Sequence, residues 1–277
     1  MQRRFHQVDV FTDRPLRGNP LAVVHDAQGL SDADMLALAR WTRLSETTFV
    51  LPPTEPGADY RVRIFTPGGE LPFAGHPTLG TCQSWLWSGG QPKRAEEIVQ
   101  QCGVGLVRVR RDGERLAFAA PALRRTGPID STDLDTLCLA LGLHRDQVQN
   151  HQWVDNGPGW CALMLADADT VLSVRPDMQA LGTFKVGLIG PHPGGGVADF
   201  EVRAFVPALG IGEDPVTGSL NAGLAQWLIG AGLAPGPYQV RQGTCVGADG
   251  RVYLSQSGGD IWVAGQVVPC IQGRIGL

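Results

Sequence analysis

Alternation of apolar and polar side chains dominates much of the chain and predicts a strand-rich protein. Phe5 to Phe11 alternates as a strand, Pro15 to Pro20 turns the chain, and Leu21 to Val24 gives a second short strand. Ser31 is placed to cap a helix running to about Arg43, with Asp34 three residues on and Met35, Leu36, Leu38 and Ala39 supplying the apolar face. A strand follows over Thr47 to Leu51, with Glu46 at its entrance. Tyr60 to Thr66 alternates arginines with Val62 and Ile64, the pattern of a strand with one solvated face. After Gly75-His76, Pro77 suits the first position of a helix that Gly89-Gly90 ends. Val104 to Arg111 and Glu114 to Ala119 flank Asp112-Gly113, a strong hairpin signal.

The plan then returns. Pro121 to Pro128 reads as a linker and about Asp133 to Leu141 as a helix; Trp160 to Leu165 and Asp199 to Val206 read as strands. Leu220 to Ile229 is a helix stopped by Gly230, Asp249-Gly250 is a second hairpin turn, and Ile261 to Ala264 and Gln266 to Ile271 are strands. Tyr60-Arg-Val-Arg-Ile-Phe-Thr-Pro67 matches Phe200-Glu-Val-Arg-Ala-Phe-Val-Pro207, so Arg63 and Arg203, Phe65 and Phe205, and Pro67 and Pro207 stand 140 apart. Gly75-His76 and Gly218-Ser219 pair at 143, and Trp85-Leu86 and Trp227-Leu228 at 142. A period this long is not that of a solenoid. It predicts two similar domains, residues 1–122 and 123–265, with a cleft between them of the kind where small-molecule sites form. Strand-rich halves, each with one helix after a glycine turn, predict an α+β fold in which a curved sheet wraps a helix. Trp85 and Trp227 read as core.

Composition narrows the function by exclusion. The 277 residues carry a formal net charge of −4 and 43% hydrophobic side chains. That is enough apolar material for two cores. The arginines are scattered, which argues against nucleic acid as a partner, because phosphate neutralisation needs a basic patch. Met1 to His6 is basic but runs straight into strand alternation, so no secretory signal is read. No stretch reaches the roughly 18 apolar residues of a membrane span, and a cytoplasmic location is expected. Cysteines at 82, 102, 138, 161, 245 and 270 form no CxxC pair, and histidines at 6, 25, 76, 144, 151 and 192 no HxxxH pair. Reduced, mostly buried thiols and no metal are therefore expected. There is no GxGxxG or Walker loop, and Gly194-Gly195-Gly196 reads as a flexible turn, so nucleotide cofactors lose support.

The candidate chemistry sits at the helix starts. Unpaired amides and the positive dipole end would hold a carboxylate or stabilise an enolate. Glu46, among apolar and hydroxyl neighbours in Leu44-Ser-Glu-Thr-Thr-Phe-Val50, is a carboxylate that desolvation would tune toward general acid/base work. His76 and Asp214 are further candidates. Each has a plainer reading: Glu46 as a strand start, His76 as a turn histidine, Asp214 before Pro215 as a turn-former, Gly218-Ser219 as a helix cap. Trp153 to Trp160 reads as a structural turn whose neighbourhood could shape the pocket.

Taken together, Asp9-Val-Phe-Thr12, Gly18-Asn-Pro20, Leu44-Ser-Glu46-Thr, Phe65-Thr-Pro-Gly-Gly-Glu-Leu-Pro-Phe-Ala-Gly-His76-Pro-Thr78, Phe205 through Ser219 with Glu213-Asp-Pro-Val-Thr-Gly-Ser, and Gln242-Gly243 closely resemble the PhzF-like phenazine-biosynthesis family. The resemblance implies the diaminopimelate-epimerase-like fold, two pseudo-symmetric domains each with a sheet rolled round a central helix, the last strand (about 266–277) returning to the first domain. It implies that Glu46 shuttles a proton, that His76 and Asp214 position substrate and tune protonation, and that Gly75, Gly218 and Ser219 bind substrate. His76 and Ser219 are then expected to border one pocket. It also implies a homodimer and a small carboxylate substrate, with no metal or organic cofactor. The type reaction is isomerisation of trans-2,3-dihydro-3-hydroxyanthranilate. Related epimerases use two opposed cysteines, and here Ala74 and Thr217 stand at those places, which disfavours a two-thiol racemase. A one-base amino-acid racemase or epimerase and a non-catalytic small-metabolite binder are the competing expectations.

Overall fold

Strand propensity and alternation produce the sheet scaffold, and the repeat seen in the sequence is a repeat of topology. The computed structural model describes residues 1–194, 196–209 and 212–277, and of Leu209 the backbone alone. Gly195 of the glycine run and residues 210 and 211 of the Phe205–Ser219 motif lie outside the described residues. The chain divides into two units, residues 1–119 with 264–277, and residues 120–263.

In the first unit the elements are β1 (Gln2–Val10), β2 (Asn19–Val24), α1 (Asp32–Thr42), β3 (Glu46–Leu51), β4 (Tyr60–Thr66), β5 (Gly69–Leu71), α2 (Gly75–Trp87), β6 (Glu97–Cys102), β7 (Gly105–Asp112) and β8 (Arg115–Ala119). The second unit contains α3 (Ser131–Leu141), β9 (Asn150–Trp153), β10 (Trp160–Met164), α4 (Ala168–Ser173), α5 (Met178–Leu181), β11 (Lys185–Pro191), β12 (Phe200–Val206), β13 (Gly212–Asp214), α6 (Gly218–Gly230), β14 (Tyr238–Gln242) and β15 (Gly250–Ser257). Two strands close the chain, β16 (Asp260–Gly265) and β17 (Val267–Gly276), and β17 pairs antiparallel with β1 from Gln2↔Gly276 to Val10↔Val267.

Each unit uses the same pairings in the same order. β1–β2 is antiparallel, β2–β3 parallel, β3–β4 antiparallel, β4–β5 antiparallel and β4–β6 parallel. Correspondingly β9–β10 is antiparallel, β10–β11 parallel, β11–β12 antiparallel, β12–β13 antiparallel and β12–β14 parallel. Parallel neighbours need a crossover, and α2 and α6 lie in those between β4 and β6 and between β12 and β14. The sheet of the first unit surrounds α2, which touches β1, β2, β3, β6, β8 and β17. Gly80 lets it settle there, since a Cβ at that position would come within 2.6 Å of Leu21 Cδ2 and 2.9 Å of Val10 Cγ2.

Local signals account for much of this. Ser31 caps α1: its Oγ accepts from Asp34 N–H while the Asp34 carboxylate accepts from Ser31 N–H, the reciprocal capping box, and Arg43 at φ 55 ends the helix. The Asp112-Gly113 hairpin forms, with Asp112 opposite Arg115 and Gly113 at φ 61. Asp249-Gly250 does not form the expected tight hairpin. Residues 243–249 intervene between β14 and β15 and include a 3-10 turn over Thr244–Val246, and the Asp249 carboxylate accepts from Arg241 and Arg251. Trp227 is core at 5% exposure, but Trp85 is only half-buried, stacked on Tyr60 at 5.1 Å. Three of the six free cysteines are buried and Cys245 is exposed, so "mostly buried" holds for half of them. No described helix is long and apolar enough to cross a membrane.

A polar cluster ties α2 to β1 and to the end of β2. The Ser84 hydroxyl lies 2.8 Å from His6 Nδ1 and 2.8 Å from His25 Nε2, and Ser88 Oγ lies 3.3 Å from the same His25 nitrogen. Burial, with His6 and Arg4 adding positive charge, pushes His25 down to about 4, and burial followed by Arg4 lowers His6. In an unfolded chain both histidines titrate near ~6.5. The unfolded state therefore binds protons that the folded state refuses. Stability from this cluster is complete above pH ~6.5, is lost progressively as pH falls toward about 4, and levels off below that. Urea-unfolding midpoints measured from pH 8 to 4 are expected to fall across that window and to fall less steeply in His25→Gln, with His25 alone worth up to about 3 kcal/mol. Parallel profiles for the two proteins would count against the cluster as the source.

Candidate active site

In the first unit the candidate residues gather where β3 and α2 begin. Glu46 opens β3, opposite Leu21 of the parallel neighbour β2, and is 9% exposed. Ala74 precedes α2 in extended conformation and has no side chain able to cap it. Pro77 has no N–H, so the helix itself leaves the amides of Gly75 and His76 as its first-turn donors. His76 Nε2 lies 3.3 Å from Glu46 Oε2. Burial pushes the His76 imidazole down to about 3. At neutral pH the contact is therefore between a carboxyl group and a neutral imidazole, which offers a dipole rather than a counter-charge.

Support for this helix start comes from the next strand. Thr78 Oγ1 donates to Ala74 O at 2.9 Å, Gln100 Nε2 on β6 donates to Thr78 Oγ1 at 3.0 Å, and Tyr60 OH donates to Gln100 Oε1 at 3.0 Å. Arg63 grips Glu70 of β5 with Nε and Nη2 at 2.8 and 2.5 Å, the bidentate geometry that fixes a guanidinium and carboxylate in one plane.

The second unit repeats the design with different chemistry at its end. Arg203 Nε and Nη2 hold Glu213 of β13 at 3.1 and 2.8 Å, with both side chains under a tenth exposed. Asp214 follows, and its Oδ2 accepts from the Thr217 hydroxyl at 2.6 Å. Thr217 occupies the cap position of α6 but makes no side-chain bond to the helix amides. Gln242, fully buried at the end of β14, bonds the Thr217 amide and hydroxyl, the Asp214 carbonyl and Asn221. Gly243, at φ 97, closes on Pro215, where a Cβ would lie 2.5 Å from the carbonyl oxygen.

Ser219 is not an idle cap. Its Oγ accepts from Trp160 Nε1 at 3.0 Å and its carbonyl from Asn156 Nδ2 at 2.8 Å. The Trp153–Trp160 segment thus holds the start of α6, which gives this turn its role. Gly223 lets the helix approach so closely that any side chain there would overlap the Val154 carbonyl.

Glu46, Gly75 and His76 accordingly come together in the first unit, and Asp214, Gly218 and Ser219 in the second. Sequence reasoning gave no individual site role to Gln100, Gln242, Thr78, Asn221, Asn156 or Trp160. The repeat itself held a signal for the first four, because Gln100 and Gln242 stand 142 apart and Thr78 and Asn221 143 apart. Burial pushes the thiols of Cys82 and Cys161 up to about 12, far from the thiolate form.

A family model described as phenazine biosynthesis-like protein matches residues 8–273. The chain belongs to the phenazine biosynthesis-like family. It is 36% identical to "Antisense-enhancing sequence 1" of Schizosaccharomyces pombe, over 99% of this chain and 98% of that one. It is 34% identical to a trans-2,3-dihydro-3-hydroxyanthranilate isomerase of Pseudomonas aeruginosa, over 92% and 91% of the two chains. Among solved structures, a predicted epimerase from Pseudomonas aeruginosa superposes with a TM-score of 0.80 at 30% identity, covering 99% of each chain. In this family member the α6 start depends on close backbone approach, which gives a direct test. Gly223→Ala is expected to lower stability by about 1–3 kcal/mol through overpacking. Gly230→Ala, with nothing within 4 Å of the new methyl, should leave it nearly unchanged. Equal urea midpoints for the two variants would contradict the packing described.

Proposed function

We propose that the protein is a cofactor-independent isomerase that moves a proton between carbons of a small carboxylate substrate, with trans-2,3-dihydro-3-hydroxyanthranilate as the first compound to test. The observation that carries this reading is the buried Glu46–His76 contact at 3.3 Å, a carboxyl group beside an imidazole that stays neutral. A carboxylate so placed accepts a proton from a C–H group while the bonding pair moves into the adjoining unsaturated system, and the same carboxyl returns the proton to a second carbon. Atoms and electrons balance without a redox partner. His76 orients the carboxyl as a dipole, and Gly75 supplies a helix-start amide for negative charge. Asp214, Gly218 and Ser219 are assigned to holding the substrate.

A one-base epimerase would return the proton to the same carbon, and a metabolite binder would move none. The family's curated members named as isomerases favour the first reading over both. Glu46→Gln keeps size and most hydrogen-bonding capacity but removes the base. Turnover followed by proton NMR in deuterated water is expected to fall by about two to four orders of magnitude, with substrate binding retained. The wild type should place deuterium at the shifted carbon at least in part. Deuterium confined to the original carbon would indicate epimerase chemistry, and a Glu46→Gln enzyme at near wild-type rate would sink the mechanism.

A further inference from the structure

Gln242 has a side-chain orientation set by two backbone groups of fixed polarity, the Thr217 N–H and the Asp214 carbonyl. Its Oε1 accepts from the backbone N–H of Thr217 at 3.1 Å and from Asn221 Nδ2 at 2.9 Å. A backbone N–H can only donate, so the amide oxygen must face it. The Nε2 end is left to donate, to the Asp214 carbonyl at 3.1 Å and to Thr217 Oγ1 at 2.9 Å. Thr217 Oγ1 thus accepts a hydrogen bond from Gln242, and its own single proton points at Asp214 Oδ2, 2.6 Å away.

We propose that Gln242 and Thr217 form a polarised relay that holds Asp214 Oδ2 as a hydrogen-bond acceptor, which makes both of them positioning residues for that carboxylate. The relay rests on the preceding functional reading only for the part Asp214 plays in the reaction. Helix support alone does not explain it. In the first unit Gln100 and Thr78 secure the start of α2 through the Ala74 carbonyl, and Ala74, at the place of Thr217, has no hydroxyl to offer a carboxylate. In the second unit Asn221 does the work of Thr78, donating to the Thr217 carbonyl at 2.8 Å, and the Thr217 hydroxyl is spent on Asp214. The repeat keeps the scaffold in both units and adds the carboxylate relay in one.

The test uses the full chain with carbon-13 at the aspartate carboxyls, the Asp214 signal being assigned as the one lost in Asp214→Asn. Thr217→Val keeps the shape and removes the hydroxyl, and Thr217→Ser keeps the hydroxyl. Loss of a hydrogen bond to the charged form is expected to move the acid midpoint of the Asp214 signal upward by about one pH unit in Thr217→Val. Thr217→Ser should stay within about 0.3 unit of the wild type, since the bond is retained. An unmoved midpoint in folded Thr217→Val, or a Thr217→Ser that behaves like Thr217→Val, overturns the relay. The wild type alone also decides: at pH 7 the Asp214 carboxyl carbon should show a shift between light and deuterated water from the donated hydroxyl proton, and its absence overturns the proposal even if Thr217→Val does not fold. With trans-2,3-dihydro-3-hydroxyanthranilate as probe, the acid limb of kcat/KM should move in the same direction in Thr217→Val. Failure of the wild type to convert that compound would count against the functional reading and leave the titration to judge the relay.

Discussion

Each unit buries the first turns of its central helix, and a buried helix start cannot leave its backbone groups to water. Residues 75–82 of α2 and 218–225 of α6 are all buried. Much of what surrounds them answers that constraint. A glutamine on the parallel strand supplies fixed donors and acceptors, a short polar side chain in the fourth helical position bonds back to the cap carbonyl, and a glycine in the sixth position lets the helix close on the sheet or loop beside it. The bidentate Arg63–Glu70 and Arg203–Glu213 pairs hold the hairpins that lead into the helices. Removing one member of the buried Arg203 pair would strand a charge, so these clamps fix geometry more surely than they add net stability.

The same constraint prepares the chemistry. A helix start with no side-chain cap keeps its amides for another acceptor, and both Ala74 and Thr217 leave their helices uncapped. Placing a titratable group at such a start has a further consequence, seen in His76. Burial holds it neutral, and the positive end of the helix dipole opposes a proton there as well. A neutral imidazole 3.3 Å from the Glu46 carboxyl group does not lock it into an ion pair, which suits the proposed proton transfer.

The legible part of this architecture was the part written in spacing. The Tyr60–Pro67 and Phe200–Pro207 segments fold as β4 and β12 with the matched arginines in matched clamps, and the two helices form but begin at Gly75 and Gly218, each two residues ahead of the expected Pro77 and Leu220. The strands β5, β6, β9, β11, β13, β14 and β15 were not read. β6 carries buried polar Gln100 and Gln101, so simple alternation gave it no apolar face, whereas β14 does alternate, with Tyr238 and Val240 buried, and is short, with only two apolar residues. Asp249-Gly250 carries the composition of a tight hairpin, yet Gly243 is drawn against Pro215 and Gly250 against Val216, and this tertiary packing, not the dipeptide, sets the longer connection. Trp85, read as core, stacks on Tyr60 and stays half-buried.

The divergence between the two halves is the more informative residue of the repeat. Where the scaffold is shared, the paired positions keep their chemistry: Arg63 with Arg203, Glu70 with Glu213, Gln100 with Gln242, Gly80 with Gly223. Where they differ stand the residues proposed to act on substrate. His76 stands opposite Ser219 in the repeat, one presented to a carboxyl group and the other tied to Trp160; Ala74 stands opposite Thr217, one silent and the other bonded to Asp214. A duplicated frame fixes two helix starts by the same interactions, so the substitutions at its first turns can change protonation chemistry without disturbing the hydrogen bonds that keep each start in place.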